Sequence, residues 1–152
     1  MSDFALPVRG GDPPLVSDTE PYEQLTQAAP EDLQRRLSEL AEALPGVKSG
    51  PSLCCVIGSR SWQLIPAMAR GPLGAYLAGT EFAHIHPPYD GSLHAMLPPR
   101  SAAGAVANGW GRYEPGRSSV LLYGPRDKHE TEVIWQLILQ AYRYASTDPE
   151  PR

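Results

Sequence analysis

The stretch EFAHIHPPYDGSLHAML, residues 81–97, decides the fold of this chain. Two largely apolar runs, 81–86 and 92–97, flank the segment Pro-Pro-Tyr-Asp-Gly at 87–91. Prolines, aspartate and glycine in such a short segment favour a tight turn. The pattern therefore predicts two antiparallel strands joined as a hairpin.

Three of the chain's four histidines lie in this hairpin. Side chains two apart in a strand share a face, so His84 and His86 point the same way. A five-residue turn opposes His86 with Ser92 and His84 with His94, which brings opposed Cβ atoms to about 5 Å. Histidine is not a preferred strand former, so strand propensity alone does not account for three of them here. The sequence predicts a patch of three converging imidazoles.

Imidazole exchanges a proton near neutral pH, so the cluster His84, His86 and His94 suits a general base acting on an acidic hydroxyl or enol. The same three residues equally suit a zinc or iron ion, with Asp90 as a fourth ligand or as a partner that orients a histidine. Asp90 is also a residue that a turn favours for backbone reasons. A hydrolase using Ser92 as nucleophile is disfavoured, since no Gly-x-Ser-x-Gly motif is present.

The rest of the chain predicts helices and further strands. Helical spacing of apolar residues indicates helices at 30–44 and from Asp127 to about Ala141, the second with a capping-box-like start at Asp127 and Glu130. Shorter elements are expected as strands at 53–57, 62–65 and 119–123 and as a helix at 101–107. This order predicts an α+β fold, with an antiparallel sheet packed against helices on one side and a long C-terminal helix.

The length of 152 residues fits a single domain. Glycines, prolines and acidic residues dominate 1–20, so we expect a disordered N-terminal tail, followed by the α+β domain at 21–148 and a frayed C-terminus at 149–152. The adjacent Cys54 and Cys55 would form a strained disulfide, so we expect both to be reduced, with one facing the core of a short strand.

Charge and hydropathy restrict the classes of partner that this chain is expected to bind. With 13 Lys and Arg against 17 Asp and Glu, the net charge of -4 offers no broad basic surface, which argues against nucleic acid. No apolar run is long enough to span a bilayer, and the first residues lack the pattern of a secretory signal. We expect a cytoplasmic protein with a small-molecule substrate and no membrane contact; the sequence does not specify its oligomeric state.

An ordered set of motifs resembles the fungal luciferase family and its bacterial relatives, the luciferase-domain proteins. The motifs are Ala83-His84-Ile85-His86, Asp90, Ser92-Leu93-His94, Gly109-Trp110-Gly111, Tyr123-Gly124-Pro125-Arg126 and Glu130. The resemblance runs from about Thr80 to Asp148. Glu114 departs from the pattern, since the family typically carries a histidine before Pro115.

The resemblance implies an oxygenase-like enzyme that works without an organic cofactor. The fungal enzymes oxidise a hydroxylated pyrone with molecular oxygen through a peroxide that loses carbon dioxide. By match to the motifs, His84, His86 and His94 would supply the base, assisted by Asp90, and Arg126 would hold the anion. The substrate would contact residues of the later motifs and their neighbours: Ser92, Trp110, Glu114, Tyr123 and Glu130.

Several alternatives stay open at this point. Arg126 would equally pair with Glu130 one helical turn later, and Trp110 would serve as a core anchor or as an aromatic lid over a planar ligand. A metal-dependent hydrolase or lyase using the same three histidines, and a binding module without catalysis, remain competing functions. Whether a metal is bound is unknown from the sequence, and molecular oxygen is a possible co-substrate.

Overall fold

The computed structural model describes residues 5–149, and its centre is a six-stranded antiparallel sheet. The strands are β1 (Val47–Pro51), β2 (Arg60–Leu64), β3 (Glu81–Ile85), β4 (Leu93–Ala95), β5 (Gly111–Tyr113) and β6 (Val120–Leu122), in the order β1-β2-β3-β4-β6-β5. The helices are α1 (Glu31–Glu42), α2 (Pro99–Ala107) and α3 (Lys128–Ser146), and two short 3₁₀ helices are Pro66–Met68 and Leu73–Ala75. The predicted α+β fold with a long C-terminal helix is confirmed.

The two faces of the sheet carry different residues. Ala83 pairs with Ala95 and Ile85 with Leu93, and these side chains join the apolar core together with residues of α1 and α3. His84 pairs with His94, which in turn pairs with Leu121, so these three point to the opposite face. The predicted register of the hairpin is confirmed, and it aims the histidines away from the helices.

Helix α3 begins as the sequence predicts. The Asp127 carboxylate accepts a hydrogen bond from the Glu130 amide at 2.8 Å, which satisfies one of the amides left free at a helix start. The buried stripe of α3 includes Ile134, Leu137 and Ile138, which pack on the sheet. Among residues 5–149, no helix has the length and apolar composition needed to cross a bilayer.

The strand predicted at 53–57 is wrong. These residues form a loop, and the preceding strand that pairs with β2 is β1, at 47–51. Cys55 has a φ of +72°, a conformation that a strand does not contain, and the Leu53 amide donates to the Glu81 carboxylate instead of to a neighbouring strand. The apolar composition of 53–57 predicted a strand, but Ile57 is 96% exposed.

Residues 5–20, part of the segment that the sequence predicts as a disordered tail, contact the domain; residues 1–4 lie outside the described part of the chain. The Trp110 indole donates to the Pro7 carbonyl, and the Arg9 amide donates to the Asn108 carbonyl. Arg9 is buried, and its guanidinium lies 5.3 Å from the centre of the Tyr123 ring. Polar contacts and this cation–π contact hold the segment, although it has few apolar side chains. Of the predicted frayed C-terminus, residues 150–152 lie outside the described residues.

Candidate functional site

Three buried imidazoles meet on the face of the sheet opposite the helices. His84 comes from β3, His94 from β4 and His86 from the first position after β3, and all three are at most 2% exposed. Nδ1 of His94 lies 3.0 Å from Nε2 of His84 and 3.1 Å from Nε2 of His86. The predicted histidine cluster is present, and His94 is its centre.

Each outer histidine of the cluster is held by a buried carboxylate. Nδ1 of His84 lies 2.8 Å from Oε2 of Glu81, and Nδ1 of His86 lies 3.0 Å from Oδ2 of Asp90. A carboxylate at Nδ1 favours a proton on that nitrogen and leaves Nε2 as the acceptor. Both Nε2 lone pairs therefore face the same atom, Nδ1 of His94, which is their shared donor.

Asp90 serves both roles that the sequence left open. Its carboxylate accepts from the amides of Ser92, at 2.7 Å, and Gln24, at 2.9 Å, as well as from the Ser92 hydroxyl, so it builds the turn. The same carboxylate positions His86. Burial raises the pKa of Asp90, but the hydrogen bonds from His86 and Ser92 outweigh it, so the pKa lies below its usual range.

Glu81 reaches the histidines through an irregularity in the sheet. Alternation would place Glu81 and His84, three residues apart, on opposite faces. The pairing of β2 with β3 slips between Trp62 and Gln63, which pair with Ala83 and Glu81. This bulge inserts one residue and returns Glu81 to the histidine side, where it is fully buried. A strict two-residue repeat gives no signal for it, so sequence reasoning missed Glu81 as a site residue.

Nε2 of His94 is a buried nitrogen without a hydrogen-bond partner among the described residues. Oε1 of Glu114 lies 3.3 Å away but is not aligned as a hydrogen-bond partner, and it accepts from the Ser119 hydroxyl instead. Burial, followed by the neighbouring charges of His86 and His84, holds the pKa of His94 well below its usual range. The ring is therefore neutral at neutral pH, with one lone pair unused.

A pocket of about 300 Å³ opens at His94. Residues from four separate parts of the chain line it: Glu20, Pro21, Tyr22, Cys54, Cys55, His94, Glu114 and Arg117. A second depression, about 380 Å³, borders His86. Both nitrogens of the His86 ring have partners, namely Asp90 and Ser92 at Nδ1 and His94 at Nε2. Within the histidine cluster, the ring with an unpartnered nitrogen is therefore the one that lines the pocket of about 300 Å³.

The loop at 52–59 brings two thiols to this pocket. The Cys55 thiol donates to Sγ of Cys54 at 3.1 Å, and the Ser52 hydroxyl lies 3.4 Å from Nδ1 of His84. The hydrogen bonds from Cys55 and His84 lower the pKa of Cys54 to about 5, whereas the hydrogen bond to Cys54 and burial raise the pKa of Cys55. Both cysteines are free, as predicted, but neither lies in a strand or in the core.

The thiol of Cys54 and the Glu81 carboxylate also act on His84. Burial lowers the pKa of His84, but the hydrogen bonds with Cys54 and Glu81 and their negative charges outweigh it, so the pKa is raised overall. His84 and His94, although neighbours, thus shift in opposite directions. Of the two rings, His84 therefore binds a proton more readily than His94.

Most of the later predicted site residues lie away from the pocket. Arg126 forms an ion pair with Glu130 at 2.5 Å and donates to the Gly10 carbonyl. The pairing with Glu130 is the alternative to anion binding that the sequence left open for Arg126. Trp110 is 1% exposed and serves as a core anchor, and the Tyr123 amide donates to its carbonyl. Neither the anion-holding role of Arg126 nor a lid role of Trp110 fits these contacts.

The pocket lining includes one of the predicted substrate-binding residues and an arginine that was not predicted. Ser92 is fully buried beside His86 and does not line the pocket, while Glu114 does. Arg117, which the sequence did not single out, is the guanidinium at the pocket, with its side chain 51% exposed and 3.6 Å from Glu20. No local pattern around Arg117 distinguishes it from a surface residue.

Two groups of side chains within residues 5–149 have donor atoms close enough to share a metal ion. Cys55, His84 and His94 form one and Cys54, Glu81 and His84 the other, with all donors of each group within 4.8 Å of one another. His86 belongs to neither group. The ligand set considered from the sequence, His84, His86 and His94, is therefore not the one that the geometry favours.

The fold and the site define an α+β protein with a buried, carboxylate-supported histidine centre at a small pocket. Residues 79–141 match the sequence model of the Luciferase domain family. A protein named luciferase from Armillaria ostoyae is 30% identical over 78 residues, which cover 45% of this chain and 29% of the fungal protein. No solved structure matches the chain. The resemblance to the luciferase-like family is confirmed, although the chain spans less than a third of its fungal relative.

Proposed function

We propose that this chain is an oxygenase-like enzyme that removes a proton from a small, enolisable aromatic or pyrone-like molecule, with His94 as the base. One observation carries the proposal, namely that Nε2 of His94 is buried and unpartnered and belongs to a ring that lines a pocket. A base must reach the proton that it abstracts, and a lone pair already engaged in the protein could not do so. The similarity to a protein named luciferase supports the oxidative part.

The two buried carboxylates behind the outer histidines favour the positive charge that this step creates. Once Nε2 of His94 takes the proton, the ring is a cation whose Nδ1 proton faces the acceptor atoms of His84 and His86. The carboxylates of Glu81 and Asp90 lie at the far side of those rings. Because these groups are buried and already in place, the charge forms with little reorganisation of its surroundings.

The pocket suits a small planar anion. Its volume of about 300 Å³ lies at the lower end of the range for small-molecule sites, and Tyr22 offers an aromatic wall. Arg117 is the lining residue that can hold the enolate oxygen, in the role that the sequence assigned to Arg126. A guanidinium in the same pocket as the base favours the deprotonated form of the substrate.

Molecular oxygen is the co-substrate of the second step. The enolate carbon gives its electron pair to a new carbon–oxygen bond, so the substrate is oxidised by two electrons and dioxygen is reduced to the peroxide level. The protein's part is to form the electron-rich anion and to exclude water from it. No step of this scheme needs an organic cofactor.

Oxygen uptake with a panel of hydroxylated pyrones and phenols tests the proposal. Replacing His94 with alanine should lower turnover by about 10²–10⁴-fold, the usual contribution of a general base. His129 is an exposed histidine on α3, so His129→Ala is the matched control and should turn over normally. Circular dichroism confirms that both variants fold.

Equal turnover by the two variants would exclude His94 as the base. The metal-dependent alternative is separated in the same assay, because turnover by protein dialysed against a chelator should not fall if the base acts without a metal ion. Binding of a panel compound without oxygen uptake in air would identify a binding module instead.

A further inference from the structure

We propose that Cys55, His84 and His94 bind a soft divalent metal ion, such as Zn²⁺, at the pocket, and that this ion competes with the base function of His94. The sequence predicted reduced cysteines without a role, and both lie outside the matched segment 79–141. The metal site itself is independent of the proposed function, whereas the competition rests on it.

The donor atoms are nearly in position for such an ion. One donor each of Cys55, His84 and His94 lies within 4.8 Å of the others. Zn²⁺ binds thiolate sulfur and imidazole nitrogen at about 2.0–2.3 Å in a tetrahedral arrangement, which places ligand atoms about 3.3–3.7 Å apart. Side-chain displacements of about 1 Å close the difference, and Cys55 lies in a loop rather than in a paired strand.

A second, independent observation points to a ligand at this place. Nε2 of His94 is a fully buried polar atom without a partner, and the pocket begins there. An unpaired nitrogen costs free energy that an ion would recover. The Glu114 carboxylate, 3.3 Å from this nitrogen, is placed to supply the fourth ligand.

In the neighbouring group of Cys54, Glu81 and His84, the carboxylate oxygens of Glu81 already have hydrogen-bond partners. Oε1 of Glu81 accepts from the Leu53 amide, and Oε2 accepts from the Ser52 hydroxyl and contacts Nδ1 of His84. An ion there would have to break these bonds, whereas an ion at the proposed site replaces one, between Nε2 of His84 and Nδ1 of His94. Cys55 is therefore a ligand that distinguishes the proposed site from this neighbouring group.

An ion at Cys55, His84 and His94 would occupy the lone pair that proton abstraction needs. Metal and substrate would then exclude each other at the same nitrogen. The chain would lose its base activity when soft metal ions are abundant and recover it on chelation.

Titration with Co²⁺ tests the site without any substrate. Cobalt takes the place of zinc in sites of this kind, and a thiolate ligand adds a charge-transfer absorption in the near ultraviolet. We expect this band to saturate at one equivalent in the reduced, metal-free protein. Cys55→Ser should abolish the band and weaken the site at least about tenfold, while the matched variant Cys54→Ser should keep it.

The histidine variants complete the test. His94→Ala should weaken Co²⁺ binding at least about tenfold, and His129→Ala should leave it unchanged. Absence of the band in the folded protein, or its loss in Cys54→Ser but not in Cys55→Ser, would overturn the site. If the band forms but saturating Zn²⁺ leaves oxygen uptake unchanged, the competition is refuted while the site stands.

Discussion

The hairpin at 81–95 and the loop at 52–59 each supply part of the same pocket, yet they are built in opposite ways. In the hairpin, every residue of β3 and β4 is buried, and the histidines are fixed by strand pairing and by two carboxylates. In the loop, Ile57 is 96% exposed and Cys55 has a left-handed backbone.

The difference separates stability from reactivity. Groups in the hairpin act from fixed positions because pairing and burial leave them one arrangement. Groups in the loop have fewer packing partners and more exposure, which suits side chains that must move toward a ligand. Substitutions in the two regions should therefore differ in their effects on the free energy of unfolding.

Asp90 should give the largest loss of stability in the hairpin. Asp90→Ala leaves the Gln24 and Ser92 amides and the His86 ring without their acceptor, and removing one partner from a buried charged network costs about 3–5 kcal/mol. Urea unfolding measures the loss. Asp18→Ala, at an exposed aspartate, is the control and should stay within about 0.5 kcal/mol. A small loss at Asp90 would mean that the turn holds without it.

The pH dependence of Asp90 is a finer test. Its pKa in the folded protein is lower than the ordinary value of 3.8, so its stabilising effect is complete above that value and is lost as pH falls through the folded pKa. The difference in unfolding free energy between the natural chain and Asp90→Asn should therefore be constant at neutral pH and shrink below pH 3.8. A difference that stays constant through acid pH would contradict this assignment.

Ile57 in the loop should give the smallest effect. Ile57→Ala removes a side chain that is already in water, so the free energy of unfolding should change by no more than about 0.5 kcal/mol. The same substitution at Ile85, 5% exposed in β3, creates a cavity and should cost about 2–5 kcal/mol. Thermal melts of the pair compare the regions directly, and similar losses at both positions would show that the loop is packed as firmly as the sheet.

Periodicity and turn chemistry were enough to predict the hairpin. The pairing of His84 with His94 follows from two-residue alternation and a five-residue turn, and the start of α3 follows from Asp127 and Glu130. These features depend on residues near one another in sequence. The prediction of a sheet covered by helices also rested on such short-range patterns.

The remaining features depend on contacts between distant residues. Glu81 joins the site through a bulge set by β2, and β5 has only three residues, too few to show a period. Arg126 has a partner four residues away, whereas Arg117 reaches the pocket only through the folded sheet. The exposed apolar residues of the loop imitated a strand because composition alone does not report burial.

The pocket has a mixed origin, and this has an evolutionary consequence. Its histidine and Glu114 come from the segment shared with the luciferase-like family, while Tyr22 and the cysteines come from segments outside the match. Relatives can inherit the proton-handling centre and replace the rim around it independently. Divergence of substrate preference among such proteins should then be recorded in residues before position 79, which lie outside the match.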